Sequence, residues 1–306
     1  MPTVDDPQWP RASAWLAGEF PTRSSQSLAV LGVPLCRGSI TPGRTDLAPD
    51  AVRAILRRFS TYDIEHDVDL RQLAVRDVGN LDVASASVEE AFEPIARGIG
   101  NALDGCQAVI VLGGDNAVTR PGCHALNRSL NRCGLLTLDA HLDLRDLTRG
   151  LSNGNPVRAL LDDGLPGRNI VQIGIQSFAN SQAYARVASE AGIRVVTKQE
   201  IRASSVEALV SEALAELAVR ADQIYVDLDL DVLDRIFAPA TPGSRPGGLA
   251  PDDLRCVARI CGAHPKVRAM DLVELDPTND VADATVMVAG ACLLSFASGF
   301  LDRPLS

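Results

Sequence analysis

The chain has 306 residues, of which 46% are apolar and 22% are charged, and these shares exclude a mainly disordered protein. Twenty-nine basic and 39 acidic side chains give a formal net charge of −10, which disfavours broad attraction to nucleic-acid phosphates or anionic lipid. Aromatic residues make up only 4% of the chain and leave little for stacking against single-stranded nucleic acid. We therefore expect a small-molecule ligand, and neither nucleic acid nor a membrane as partner.

Short apolar runs rich in β-branched residues alternate with longer amphipathic stretches along the chain. In chain order, strands are predicted at Leu28–Val33, Ala108–Leu112, Leu135–Leu138, Ile170–Ile175, Ile193–Thr197, Gln223–Leu228 and Val267–Val273. Helices are predicted between them at Ala48–Phe59, Val88–Leu103, Ser181–Ala191, Ser205–Arg220 and Ala282–Leu301. Several strands are apolar on both faces, which indicates one parallel α/β sheet covered by helices on both sides. We expect residues 1–306 to form one domain, with residues 1–25 as an N-terminal extension.

The sequence predicts no targeting or membrane-spanning segment. Met1–Pro10 lacks the order of basic, apolar and small residues that marks a secretory signal. The longest nearly apolar stretch, Ala289–Phe300, is shorter than the roughly 20 residues of a bilayer span. The seven cysteines form no CxxC pair, and their odd number favours reduced thiols and a cytoplasmic location.

Unusual polar residues follow four of the predicted strands, where ligands bind in an open α/β sheet. The four segments are Gly113–Asn116, Asp139–Asp143, Asp227–Asp234 and Glu274–Pro277. Alternate side chains of extended backbone share one face, so two acidic sets should each converge. These sets are Asp139, His141 and Asp143, and Asp227, Asp229 and Asp231. Gathering so many carboxylates is costly unless they are protonated, paired with Arg or Lys, or bound to cations. A divalent metal pair bound by carboxylates and one imidazole is the least costly of these solutions.

With these four segments, the chain resembles the ureohydrolase superfamily, which includes arginase, agmatinase and formimidoylglutamase. The resemblance extends from the Gly32-Val33-Pro34 strand end through Leu47–Ala54 to the final helix. It implies a three-layer α/β/α fold around an eight-stranded parallel sheet, and two Mn²⁺ ions bridged by hydroxide. By the same resemblance, the metal ligands are Asn116, Asp139, His141, Asp143, Asp229 and Asp231. The resemblance also implies a homo-oligomer, a trimer or a hexamer.

Two positions depart from the superfamily pattern. Most members have His where this chain has Asn116, and an amide oxygen binds transition metals more weakly than imidazole does. The amide either holds the first ion weakly or bonds to a water molecule. Asp227 occupies a position where a small residue such as Ser is usual, and it either supports the cluster from behind or points into a neighbouring layer.

Two stretches resemble the formimidoylglutamase branch most closely, namely Ser152–Arg158 and Gln172–Tyr184. The resemblance implies that Asp143, Glu274 and His141 are catalytic, with Glu274 holding the amidine or guanidine group. Asp143 would orient the hydroxide and carry its proton to the leaving amine. A glutamate-bearing substrate presents two carboxylates, which favour cationic and amide donors nearby. The candidate substrate-binding residues are Arg145, Asn153, Arg158, Asn180 and Glu274.

The leading hypothesis is metal-dependent hydrolysis of N-formimidoyl-L-glutamate to L-glutamate and formamide, a step of histidine breakdown. A first alternative is a guanidino-compound hydrolase that releases urea from a guanidino acid, agmatine or a modified arginine. A second alternative is a non-catalytic paralogue that acts as a binding or regulatory subunit. The released product distinguishes the two enzymes, and the metal content distinguishes either of them from the paralogue.

Overall fold

The computed structural model describes residues 6–22 and 25–304, and its centre is a sheet of eight parallel strands. The strands of this sheet and of a separate two-stranded pair are, in chain order, β1 (Ser27–Val33), β2 (Tyr62–Asp63), β3 (Val68–Asp69), β4 (Ala74–Asn80), β5 (Ala108–Gly113), β6 (Cys133–Leu138), β7 (Ile170–Ile175), β8 (Arg194–Thr197), β9 (Gln223–Asp229) and β10 (Val267–Val273). Their order across the large sheet is β4-β1-β5-β10-β9-β6-β7-β8, while β2 and β3 form a separate antiparallel pair. The predicted parallel sheet is confirmed.

Helices cover both faces of this sheet. They are α1 (Ala12–Leu16), α2 (Ala48–Ile55), α3 (Val88–Leu103), α4 (Thr119–Leu126), α5 (Pro156–Asp162), α6 (Gln182–Ala191), α7 (Lys198–Ala203), α8 (Val206–Arg220), α9 (Pro251–Ala263) and α10 (Ala284–Phe300). Short 3₁₀ turns occupy Thr45–Leu47, Leu56–Arg58, Leu70–Gln72, Asn116–Val118, Gly167–Asn169, Leu230–Val232 and Pro277–Asn279. One apolar core joins the sheet to α1, α2 and α7–α10, and a second joins its other face to α3–α6. This is the expected three-layer α/β/α arrangement.

Alternation of side chains along each strand divides the sheet between the two cores. In β1, for example, Leu28 and Val30 belong to the core with α10, whereas Ala29, Leu31 and Val33 belong to the core with α3. Central strands buried on both faces are mostly apolar, which is why their positions are visible in the sequence.

The predicted N-terminal extension is described only in part, because residues 1–5, 23 and 24 lie outside the described residues. Within it, α1 packs onto the large core, and the indole Nε1 of Trp15 donates to the carbonyl of Leu73 at 3.1 Å. Among residues 6–22 and 25–304, none of the helices combines the length and the apolar character needed to cross a membrane.

Candidate functional site

Four consecutive strands of the sheet, β5, β10, β9 and β6, bring the predicted polar segments together at their carboxyl ends. Asn116 follows β5, Asp139 follows β6, Asp229 ends β9 and Glu274 follows β10. Because parallel strands all end at the same edge of a sheet, the four segments meet at its centre even though about 160 residues separate the first from the last.

The tightest cluster consists of Asp139, His141 and Asp231. The backbone N–H of His141 donates to Oδ1 of Asp139 at 2.6 Å, and this turn brings the imidazole back toward the carboxylate. Nδ1 of His141 lies 2.9 Å from Oδ2 of Asp231 and 3.4 Å from Oδ1 of Asp139. The backbone N–H of Ala140 donates to the other oxygen of Asp231 at 3.2 Å. The two strand ends are therefore joined through the side chains that the sequence marks as metal ligands.

Asp143, Asp229 and Asn116 complete the predicted ligand set, and all three are buried. Oδ1 of Asp229 accepts the backbone N–H of Asp231 at 2.8 Å, which fixes the turn at the end of β9. The amide Nδ2 of Asn116 donates to Oδ2 of Asp143 at 2.6 Å. Asp143 has a positive φ of 52°, a conformation uncommon for a non-glycine residue. Such outliers concentrate at functional sites, where the surrounding structure holds them in place.

Glu274 is held at the edge of this cluster by two donors. Its Oε1 accepts the backbone N–H of Asn116 at 2.7 Å and Nδ2 of Asn153 at 3.0 Å. The backbone of Glu274 is also unusual, with φ of 64°, and its N–H donates to the carbonyl of Gly114. These two hydrogen bonds fix the position of the carboxylate.

The electrostatics of the site indicate a shortage of positive charge. Burial, assisted by the Asp231 carboxylate, raises the pKa of Asp139 to about 7. Burial also raises the pKa of Glu274 to about 7, although hydrogen bonds from Asn153 and Asn116 act in the opposite direction. The pKa values of Asp143 and Asp229 are raised well above the usual range, again first by burial and then by neighbouring carboxylates.

His141 is the cation that these carboxylates share. Burial acts to lower its pKa, but Asp231 and Asp139 overcome this and raise the pKa to about 11. The same contact lowers the pKa of Asp231 despite its burial. A single imidazolium leaves the remaining carboxylates uncompensated, and a divalent ion is a group that would relieve their mutual repulsion.

The donor set fits such an ion. One ligand atom from each of Asp139, His141 and Asp231 lies within 4.8 Å of the other two. Bonds of about 2.1 Å to a shared ion place ligand atoms at most about 4.2 Å apart, so the three need only small adjustments. Carboxylate oxygens with one imidazole are ligands that suit Mn²⁺.

A cavity of about 180 Å³ opens beside the cluster and reaches His141, Asp143, Asp229, Asp231 and Glu274. Its volume suits a molecule the size of an amino-acid derivative. The predicted residues Arg145, Asn153 and Asn180 also line it.

Two of the predicted substrate-binding residues make different contacts from those expected, namely Asn180 and Arg158. Asn180 uses both ends of its amide on backbone, accepting the N–H of Leu142 at 2.7 Å and donating to the carbonyl of Ala140 at 3.0 Å. It therefore holds in place the loop that carries the predicted ligands His141 and Asp143. Arg158 is not part of the cavity lining, and its Nε lies 3.4 Å from Oδ1 of Asp162 within α5.

Among the lining residues that the sequence analysis did not predict for the site are Tyr184 and Arg245. Arg245 belongs to the Pro- and Gly-rich loop at residues 241–249, whose composition could have identified it as the cation of a loop beside the site. Among the described residues, neither Arg145 nor Arg245 has an acidic partner within salt-bridge distance.

The chain is similar to known proteins over most of its length. A family model described as the arginase family matches residues 26–298. A formimidoylglutamase of Halalkalibacterium halodurans is 36% identical over 274 residues, which cover 88% of this chain and 86% of that relative. A mitochondrial guanidino acid hydrolase of Homo sapiens is 29% identical over 276 residues, covering 87% of this chain and 76% of the relative.

Solved structures show the same fold. The crystal structure of a formimidoylglutamase from Bacillus subtilis superposes with a TM-score of 0.91 at 28% identity, covering 99% of this chain and 95% of that one. A formiminoglutamase of Trypanosoma cruzi, solved with Mn²⁺, has a TM-score of 0.86 at 24% identity and covers 97% of this chain and 100% of its own. With a family model that spans most of its length and a relative above 30% identity, this chain belongs to the arginase family.

Proposed function

We propose that this chain hydrolyses the formimino C–N bond of N-formimidoyl-L-glutamate and releases L-glutamate and formamide. The observation that carries the proposal is one cavity lined by two unpaired guanidinium groups, Arg145 and Arg245, and by the buried carboxylate of Glu274. The two carboxylates of the substrate need cationic partners, whereas its cationic formimino group needs an anionic one. The cavity supplies both kinds of group.

Two Mn²⁺ ions per chain are part of this proposal. They would be held by Asn116, Asp139, His141, Asp143, Asp229 and Asp231. Bound divalent ions supply a hydroxide nucleophile at neutral pH by lowering the pKa of water. Support comes from the convergence of these side chains and from the excess of buried carboxylate over cationic charge.

The protein's own residues bind the substrate and move the proton. Glu274 pairs with the formimino nitrogens, and this contact strengthens as the carbon becomes tetrahedral. Asp143, at the cavity wall, takes the proton of the attacking water and delivers it to the leaving nitrogen. In the balanced reaction, the water oxygen bonds to the formimino carbon, the C–N bond to glutamate breaks, and the leaving nitrogen gains a proton. His141 lines the cavity and also contacts Asp231, so it connects the substrate cavity with the carboxylate cluster.

A guanidino acid hydrolase that releases urea is the second candidate, because a relative of that name aligns with 87% of this chain. A guanidino acid has one carboxylate, which Arg145 or Arg245 would satisfy. Agmatine fits less well, since its free amine would face the same two guanidinium groups.

The test is a substrate panel with the purified full chain and added Mn²⁺, in which formamide and urea are both measured. The proposal expects formamide from N-formimidoyl-L-glutamate at a kcat/KM well above that for any guanidino compound. Urea from a guanidino acid as the dominant product would replace the proposal with the second candidate. Absence of turnover on every substrate, with fewer than two Mn²⁺ per chain, would favour the non-catalytic subunit.

The homo-oligomeric state, a trimer or a hexamer, and the cytoplasmic location also remain predictions. Light scattering of the purified protein measures the first, and fractionation of the producing cells measures the second.

A further inference from the structure

A chain of hydrogen bonds leads from the buried interior to the predicted ligand Asn116. The hydroxyl of Tyr225 donates to Oδ2 of Asp271 at 2.8 Å, and Oγ1 of Thr119 lies 3.2 Å from that same oxygen. Oγ1 of Thr119 also lies 2.7 Å from Oδ1 of Asn116. On the other side of the same amide, Nδ2 of Asn116 lies 2.6 Å from Oδ2 of Asp143. Every member of the chain is buried, so water does not compete for these bonds.

The hydroxyl of Thr119 has one proton and two acceptors within reach. If it donates to Asn116, one donor to Asp271 is lost. If it donates to Asp271, it has no proton left for Asn116, and the 2.7 Å contact is then a hydrogen bond only if Asn116 turns its NH₂ toward the hydroxyl oxygen. The direction of the chain therefore decides which end of the Asn116 amide points at Asp143.

Asp271 is built to accept. Besides Tyr225 and Thr119, the backbone N–H of Leu228 donates to its Oδ1 at 3.2 Å. Asp227, its register partner on β9, also shares a hydrogen bond with it. Burial raises the pKa of Asp271 to about 6, whereas the hydrogen bonds around it act to lower the pKa, so the carboxylate is mainly ionised at neutral pH and then only accepts.

If the side-chain amide of Asn116 is turned by 180°, each hydrogen-bond donor in the chain from Asn116 to Asp271 has an acceptor. Nδ2 of Asn116 then donates to Thr119, Thr119 donates to Asp271, and the amide oxygen faces Asp143 and the cluster. Two oxygens facing each other at 2.6 Å repel unless a cation lies between them. A bound ion would therefore favour the oxygen-inward orientation of the amide.

We infer that Thr119 is a positioning residue, which accepts from the Asn116 amide while donating to Asp271 and so turns the amide oxygen toward the first metal ion. This inference rests on the metal centre of the proposed function. An amide can present either its oxygen or its NH₂ to a metal ion, and only the oxygen can bind the ion. A hydrogen-bond partner that fixes the orientation of the amide therefore explains how Asn116 can serve at this position.

The test compares Thr119→Val, which removes the hydroxyl at nearly constant shape, with Thr119→Ser, which keeps it. Mn²⁺ binding to the metal-stripped full chain is measured by calorimetry, and the coupled two-ion signal is followed by electron paramagnetic resonance. Loss of an outer partner of a metal ligand costs about 10–100-fold in metal affinity. We expect that loss at the weaker of the two sites in Thr119→Val, with the coupled signal reduced, and a change below about threefold in Thr119→Ser.

The same substitution in an Asn116→Asp variant distinguishes a loss of amide orientation from a general loss of structure. The two oxygens of the Asp side chain are equivalent, so either can face the metal ion. Adding Thr119→Val to Asn116→Asp should therefore lower the Mn²⁺ affinity by less than about threefold. If Thr119→Val does not fold, Thr119→Ala carries the same comparison, because it lacks the hydroxyl and adds no atom.

Three results would overturn the inference. These are a hydroxyl-free variant that binds two Mn²⁺ with unchanged affinity, an equal loss in the Asn116→Asp background, and a wild-type chain that binds fewer than two ions. Failure of the proposed substrate is a separate outcome, since a wild type with two Mn²⁺ and no formamide release leaves the binding comparison intact.

Discussion

Gly243 lies where any larger residue would collide with a predicted metal ligand. A β-carbon placed on Gly243 would lie 2.1 Å from Oδ2 of Asp231 and 3.1 Å from Cε1 of His141. Nonbonded heavy atoms rest about 3.5 Å apart, so Gly243→Ala requires the Asp231 oxygen to move by roughly 1 Å.

Asp231 has little freedom to move. One of its oxygens accepts the N–H of Ala140, the other contacts His141 at 2.9 Å, and the side chain is buried. Metal ligands tolerate displacements of about 0.2 Å, and a misplacement of about 1 Å costs roughly 100-fold in rate. We therefore expect Gly243→Ala to lose at least about tenfold in Mn²⁺ affinity and about 100-fold in kcat/KM, with the fold retained.

The assay measures Mn²⁺ per chain by elemental analysis after dialysis, formamide release with N-formimidoyl-L-glutamate, and thermal unfolding by circular dichroism. Gly100→Ala in α3 is the matched control, because a β-carbon there meets no atom within 4 Å. Gly243→Ala with the metal content and the kcat/KM of Gly100→Ala would refute the argument that Asp231 is a metal ligand fixed in place.

Further predictions concern other parts of the molecule. Asp231→Asn should lose bound Mn²⁺ and activity together, and a fully active variant without metal would contradict the ligand assignment. Arg245→Met should raise KM for N-formimidoyl-L-glutamate at least about tenfold, whereas Arg158→Met should leave it within about twofold; equal effects in steady-state kinetics would exclude a role for Arg245 in binding. Burial acts to raise the pKa of Asp163, but Arg120 and a neighbouring histidine lower it below 3.8, so its stabilising effect is present above that pH and is lost as pH falls through the lowered value. Asp163→Asn should therefore be about 1–2 kcal/mol less stable than wild type to urea at pH 7, with the difference closing under acid conditions; a constant difference would contradict this.

The sheet could be predicted from the sequence wherever burial forces a pattern. The seven predicted strands all exist, because strands covered on both faces must be apolar runs. β4 was missed because the exposed polar residues Arg76 and Asp77 interrupt its apolar pattern at the edge of the sheet. The short helices were missed for a related reason, since α4 and α7 have few turns over which a period of 3.6 could repeat.

The site could be predicted where its chemistry restricts the residue type. It could not be predicted where the fold decides which way a side chain points. Alternating carboxylates are visible because burying them is costly without cations. Arg158, by contrast, seemed well placed in a loop, but Pro156 begins α5 two residues earlier, and the helix turns the guanidinium toward Asp162. The contact of Thr119 with Asp271 spans 152 residues of chain and left no local pattern to read.

Asp227 shows how the protein separates two kinds of buried acid. It lies opposite Asp271 on the neighbouring strand, and burial, followed by the Asp271 charge, raises its pKa well above the usual range. A hydrogen bond between the two carboxyl groups lets them share one proton, so the pair adds one negative charge to the interior rather than two. At the cavity wall, by contrast, Asp231 is paired with His141, and this contact lowers the pKa of Asp231 and keeps its carboxylate charged. Aspartate therefore serves as a neutralised support within the sheet at Asp227 and as a charged partner of His141 just beyond the strand end at Asp231.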